Sequence, residues 1–264
     1  MSLVKPDTKV SLTDYDPADT GAYQSADDAT ERLQEHIDEL IKLQNLLYAE
    51  NRRALLVILQ GMDTSGKDGT IRHVMSGLSP QGVQVSSFKA PTPEELAHDF
   101  LWRIHKVVPP HGFIGIFNRS HYEDVLVVRV HSLVKRKVWK ARFKQINHFE
   151  RTLAKNGVIL LKFFLHISKD EQKKRLEERL ADPARYWKFS KHDVEERSYW
   201  DAYEKAYEDA LSECSTKQAP WHIVPANHKW CRNLYVAETI VSTLRDLKMK
   251  YPPATDGLSN IVIE

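Results

Sequence analysis

The stretch LLVILQGMDTSGKDGTI, residues 55–71, constrains this chain more than any other. Residues 55–59 are an unbroken run of Leu, Val and Ile, which predicts a buried strand. Gly61 and Gly66 bracket a short polar loop that ends at Lys67. Ile71, Val74, Met75 and Leu78 then recur at helical spacing. Strand, glycine loop, lysine and helix form a P-loop in its required context, where backbone N–H groups converge on a phosphate at a helix N-terminus. In this reading Gly61, Thr64, Ser65, Gly66, Lys67, Asp68, Gly69 and Thr70 surround a phosphate chain. Asp68 stands where an ordinary P-loop has the Ser or Thr that binds Mg²⁺, and Asp63 puts a second carboxylate inside the loop. Carboxylates rather than a hydroxyl are therefore expected to hold the metal.

Further apolar runs at 83–88, 113–117, 158–165 and 221–225 read as strands, beside the first at 54–60. Helical patterns fall between them. Residues 28–50 carry Leu33, Ile37, Leu40, Leu43 and Leu47 on one stripe. A Thr92-Pro93-Glu94-Glu95 start predicts a helix to about Lys106. Others are expected after Ser120, over 135–156, from a Ser168 cap to about Leu180, and over 193–212 and 230–248. Continuous apolar strands alternating with helices predict an α/β fold. The expectation is a P-loop kinase-like three-layer sandwich: a parallel five-stranded sheet, helices on both faces and a helical lid. The whole of 1–264 reads as one domain. Residues 1–25 form an extension wrapped over the surface, the lid spans about 175–212, and the tail from Tyr251 is mostly irregular. Ligands in such sheets bind at the carboxyl ends of the strands.

The net charge is only +2, but it is unevenly spread. Residues 1–50 hold eleven acids against four bases, whereas 129–144 hold seven bases and no acid. A basic stretch near a phosphate loop suits a polyanion, and a solvated helix face would look the same. Two cysteines cannot build a disulfide framework in 264 residues, so they are expected to pack in a reducing compartment. The N-terminus lacks an apolar secretory segment and no run is long enough to span a membrane, which makes the cytoplasm the expected location. The basic residues are not interleaved with aromatics, so nucleic acid is not an expected partner.

A second constellation, FNRSHYEDV at 117–125, follows an apolar strand where P-loop proteins usually place a metal-binding acid. Arg119 there would neutralise charge on a transferring phosphoryl group. Glu123 and Asp124 could ligate Mg²⁺ or orient an acceptor. Ser120-x-x-Glu123 is equally a capping box, and Arg119 could be a structural ion pair. A third region, RLEERLADPARYWKFSKHD at 175–193, sets Arg175, Arg179, Arg185, Lys188 and Lys191 around a helix break, as a phosphate-closing lid requires. Tyr199, Trp200, Tyr203 and Tyr207 follow at helical spacing and read as a core-facing stripe.

LQGMDTSGKDGTIRHV, FNRSHYEDVLVVRV, LKFFLHISKDEQ, WKFSKHD and APWHIVPAN, in that order, resemble the polyphosphate kinase 2 family, most closely its class III. The resemblance runs from about residue 10 to Glu264. It implies transfer of a phosphoryl group from inorganic polyphosphate to AMP and ADP, reversibly, with Mg²⁺ or alternatively Mn²⁺. Guanine nucleotides are further acceptors it allows, and a homo-oligomer, dimer or tetramer, is implied. Asp63 and Glu123 would hold the metal, Asp63, Lys67, Arg119 and Glu123 would form the catalytic set, and Arg129, Arg175, Arg179 and Lys188 would add phosphate contacts. Other classes carry Asp and Asn where this chain has Asn118 and Glu123, and the Glu is associated with use of both mono- and diphosphates. Residue chemistry alone leaves two rivals open: a nucleoside monophosphate kinase using ATP, and a non-catalytic polyanion-binding P-loop protein.

Overall fold

The computed structural model describes residues 1–23, 25–189 and 191–254. Its strands are β1 (Ser2–Leu3), β2 (Ala54–Gln60), β3 (Val83–Ser87), β4 (Ile114–Asn118), β5 (Val158–His166) and β6 (Trp221–Pro225). They form one sheet in the order β1-β6-β5-β2-β4-β3. All pairs are parallel except β1 with β6, which is antiparallel. Among the described residues the sheet thus has six strands, one more than the apolar runs predicted. The extra strand is two residues long and lies in the N-terminal extension, too short to leave a pattern in the sequence. The extension also contributes Val4, Val10 and Leu12 to the core, so it is built into the fold and does not merely cover it.

The helices are α1 (Ala26–Glu50), α2 (Lys67–Val74), α3 (Pro93–Leu96), α4 (Trp102–His105), α5 (Val127–Val130), α6 (Arg136–Lys155), α7 (Lys169–Ala181), α8 (Lys191–Ser198), α9 (Trp200–Glu213) and α10 (Lys229–Asp246). They flank the sheet: α1 packs on α10, α10 on α2, and α6 on β5. On the α1 stripe Ile37, Leu40 and Leu47 are buried, and so is Gln44. The Gln44 amide is satisfied by the Ser79 carbonyl (2.8 Å) and N–H (2.9 Å), which removes the cost of burying it. Cys214 and Cys231 are buried free thiols. Among the described residues no helix is long and apolar enough to cross a membrane.

Two predicted helices are broken. The capping box at Thr92 forms as expected, yet α3 ends at Leu96. Asp99 then caps a new start, accepting from the Leu101 N–H at 3.0 Å. Arg103 draws this segment inward, donating to the Lys89 carbonyl at 2.9 Å and lying over the Phe88 ring. Likewise 193–212 divides at Tyr199 into α8 and α9. On α9, Trp200 and Tyr207 are buried, while Tyr199 is exposed. The core-facing stripe is therefore real but narrower than the spacing suggested.

β2 positions the site. It is buried along its whole length between β4 and β5, with Leu59 in register with Asn118 and Gln60 with Phe164. The carboxyl ends of β2 and β4 thus open on one edge, bringing residues 61–66 beside 118–124.

Candidate active site

At that edge the chain must turn sharply. A Cβ on Gly61 would sit 2.6 Å from the Leu165 carbonyl, so only glycine lets β2 pass so close to β5. Gly66 has φ +100° and closes the loop just before α2. Lys67 opens that helix and is 8% exposed. Its ammonium donates to the carbonyls of Gly61 (2.9 Å) and Met62 (3.2 Å), curling over the loop. Burial and the nearby Arg119 push its pKa down to about 8, against the pull of Asp63, Glu123 and Asp68. Residues from two distant stretches therefore act on one amine.

Arg119 follows β4 with φ +64°, an uncommon backbone state for a non-glycine residue, which costs about 1–3 kcal/mol where the surroundings enforce it. Its N–H donates to the Leu59 carbonyl at 3.1 Å, tying the turn to the last residues of β2. Its guanidinium donates to Glu123 at 3.3 Å, and that carboxylate raises its pKa further, against the effect of burial. The capping-box alternative for Glu123 is not realised: the Ser120 hydroxyl caps the turn by accepting from the Tyr122 N–H, and Glu123 turns to Arg119 instead. Asp124 is taken up elsewhere, between Arg142 (3.0 Å) and Arg103 (3.8 Å).

The remaining predicted residues divide into two groups. Asp63 lies 3.8 Å from Arg179 of α7, and Asp68 accepts from the Asn118 amide at 2.6 Å. Ser65 and Thr70 are fully buried, Thr64 nearly so, and Gly69 lies in the first turn of α2. These residues share the edge with Lys67. Arg175, by contrast, is 5% exposed and serves the scaffold. It donates to Glu171, to the Thr64 carbonyl and to the carbonyls of Ala226 and Asn227, so it holds the loop from behind. Arg129 pairs with Asp209 at 2.6 Å and lies over the Trp139 ring, outside the cavity described next. The side chains of Arg185, Lys188 and Lys191 lie outside the described residues.

A cavity of about 570 Å³ opens in front of the loop. Gly61, Met62, Asp63, Arg119 and Glu123 form its polar end. Phe88, Leu126, Val127, Val128 and Leu133 make an apolar wall, and Trp200, Tyr203 and Tyr207 complete it from α9. Tyr203 donates to Glu196 of α8 at 2.8 Å, and Glu196 also pairs with His131 at 3.0 Å. These contacts dock the lid helix on the core. The pattern analysis missed Tyr207 as a cavity residue because its spacing reported burial alone. It also missed Arg232 of α10, which reaches the back of the loop; a lone arginine in a helix carries no sequence signal.

The site is thus that of a P-loop protein, with the loop and Arg119 at one end of a cavity and an apolar wall at the other. The family model for polyphosphate kinase 2 matches residues 23–252. The chain is 52% identical to an AMP/ADP-polyphosphate phosphotransferase of Meiothermus ruber over 262 residues, covering 99% of this chain and 98% of that one. It is 48% identical to an ADP-polyphosphate phosphotransferase of Rhodopseudomonas palustris, over 88% and 85% of the two chains. The crystal structure of polyphosphate kinase 2 from Arthrobacter aurescens TC1 superposes with a TM-score of 0.93 at 43% identity, over 98% of this chain and 96% of that one. This chain belongs to the polyphosphate kinase 2 family.

Proposed function

We propose that this protein transfers the terminal phosphoryl group of inorganic polyphosphate to AMP and ADP, giving ADP and ATP, and runs in reverse. The observation that carries the reading is the two-ended cavity: Arg119 and the loop residues Gly61, Met62 and Asp63 at its phosphate end, with Lys67 buried behind that loop, and an apolar and aromatic wall for a nucleoside at the other. Attack by a nucleotide phosphate oxygen on the terminal phosphorus forms one P–O bond as that phosphorus breaks from the bridging oxygen it shares with the penultimate phosphorus, and the shortened polyphosphate leaves as an anion. The attacking oxygen is already ionised near neutral pH, so no general base is required. Asn118 in place of an acid then removes no base that the transfer needs. Arg119 and Lys67 stabilise the charge spread over the transferring group, and the cavity aligns donor and acceptor.

Asp63 and Glu123 suit Mg²⁺ or Mn²⁺. Two hard carboxylates line the phosphate end, and among the described residues no cluster of three metal-ligating side chains competes with them. That is the donor set expected of an ion bound largely through phosphates. The ion would neutralise phosphate charge between donor and acceptor. The largely apolar wall supports guanine as well as adenine acceptors, because it offers few hydrogen bonds to tell purines apart. The homo-oligomer that the family resemblance implies is to be measured by light scattering.

The deciding assay incubates the protein with ADP and Mg²⁺, with polyphosphate or with a second nucleotide as the phosphoryl source, and resolves the products by ion exchange. ATP formed only with polyphosphate is the expected result. ATP formed from a nucleotide donor alone would make it an ordinary nucleotide kinase. Salt-sensitive polyphosphate binding without turnover would make it a binding protein.

A further inference from the structure

Arg232 lies in the first turns of α10, just past the carboxyl end of β6. Arg232 is 2% exposed, and its guanidinium packs behind the P-loop against Gly66. A Cβ placed on Gly66 would be 1.8 Å from its Nη1, so the guanidinium occupies the space a side chain at 66 would need. Nη1 donates to the Ser65 carbonyl at 3.2 Å, and Nε and Nη2 donate to the Asn233 side-chain oxygen at 3.1 and 2.8 Å. Its hydrogen-bond partners are thus neutral oxygens. Among the described residues no carboxylate pairs with it, and the charged group that acts on it is another cation, Arg175. Burial and Arg175 together push its pKa down to about 9.

A buried cation without a counter-charge is costly, and proteins normally pair it. Two further features show what is missing. The hydroxyl oxygens of Thr64 and Thr70, in the same loop and helix start, are buried without a partner. The geometry of the loop supplies the direction. In a trans peptide the carbonyl and the following N–H point opposite ways. Arg232 draws the Ser65 carbonyl back, so the N–H of the same peptide, that of Gly66, is turned away from the Arg232 guanidinium. Gly66 is the N-cap of α2, so this N–H lies next to the free N–H groups that begin the helix, where an anion is favoured.

We propose that Arg232 is the positioning residue of the phosphate loop: it sets the Ser65–Gly66 peptide for anion binding, and the bound phosphate chain supplies the counter-charge that the protein omits. The proposal rests on the polyphosphate reading above and deepens it. It gives the loop a built-in dependence on its donor, because the charge is balanced only in the loaded state.

The test uses Arg232→Gln and Arg232→Lys in the full chain. It measures melting temperature without ligand, the rise in melting temperature on adding linear tripolyphosphate, and the KM values for polyphosphate and for ADP. Arg232→Gln should melt at or above the unliganded parent, because the unbalanced charge is gone. Its response to tripolyphosphate should shrink, and its polyphosphate KM should rise about 10–100-fold while the KM for ADP moves less than about twofold. Arg232→Lys keeps the charge and loses the fork, so it should fall between the two. A merely structural arginine predicts the reverse: a lower melting temperature without ligand and an unchanged tripolyphosphate response, and that result overturns the proposal. Should Arg232→Gln fail to fold, the structural role is likewise favoured unless Arg232→Lys shows the selective loss of polyphosphate affinity. A parent protein that neither responds to tripolyphosphate nor turns it over would refute the polyphosphate reading itself. An equal response in parent and Arg232→Gln refutes only the role of Arg232.

Discussion

Lys162→Met tests how the Arg119–Glu123 turn is held in place. Lys162 is fully buried on β5, and its ammonium donates to Glu150 (2.6 Å), the Tyr122 hydroxyl (2.8 Å) and the Cys214 carbonyl (2.6 Å). Glu150 also accepts from the Tyr122 hydroxyl (2.8 Å), and the His121 ring lies 3.1 Å from it. Burial works against the ionised Glu150, yet Lys162 and His121 outweigh it and hold the carboxyl below its ordinary value. Tyr122 and His121 belong to the turn that carries Arg119 and Glu123, so this network anchors the site from beneath. Removing one partner of a buried ion pair costs about 3–5 kcal/mol. A chain of this size loses about 2–4 °C of melting temperature per kcal/mol, so Lys162→Met should melt about 6–20 °C below the parent. Adding Glu150→Leu removes the stranded charge, so the double variant should melt above Lys162→Met. Thermal melts by circular dichroism at neutral pH measure the parent, Lys162→Met, Glu150→Leu and the double variant, and turnover measured well below each melting point reads out the turn. The pair contributes while Glu150 is ionised. Its folded pKa is depressed, so that stability is present above about pH 4.3 and is lost as pH falls through the folded value. A single variant within about 2 °C of the parent, or a double variant whose loss is the sum of two singles, would refute the reasoning.

Other outcomes follow from the loop and its neighbours. With its pKa pushed down to about 8, Lys67 is mostly charged at pH 7 and mostly neutral at pH 9 before donor binds. The polyphosphate KM should therefore rise about tenfold across that range, and Lys67→Arg should flatten the rise; a slope unchanged in that variant places the titration elsewhere. Arg119→Lys should lower kcat by about 10²–10³ with little change in melting temperature, since the planar fork is lost and the charge is kept. Glu123→Asn should raise the Mg²⁺ concentration for half-maximal rate by about tenfold and shift relative use of AMP and ADP. An unchanged Mg²⁺ requirement would leave Glu123 only as the partner of Arg119.

β2, β4 and β5 were legible because each is a nearly continuous apolar run buried on both faces, whereas the edge strand β3 is mostly exposed and was legible only from its two valines and the Gly82 before it. β1 was not, since two residues carry no periodicity. The capping box at Thr92 and the N-cap at Ser168 reported where helices begin, because a cap is a contact between near neighbours in the chain. They said nothing about where α3 ends. That is decided by Arg103 reaching Lys89 and Asp124, contacts that no local signal encodes. The basic residues show the same divide. The sequence marked Arg129 and Arg175 as cations available to phosphate, and the fold commits them to Asp209 and to backbone carbonyls.

By itself, the amino-acid order determined that a strand turns through glycines into a helix at Lys67, and that this geometry suits a phosphate, because steric limits and N–H direction are local. Only the tertiary structure decided which charges face that phosphate. Parallel pairing of β2 with β4 brings Arg119 and Glu123 within reach of Lys67. The packing of α10 on α2 puts Arg232 behind Gly66, far along the chain from the loop it supports. Charge acts through space and not along the backbone, so its effect at the site is set by the distances that folding creates.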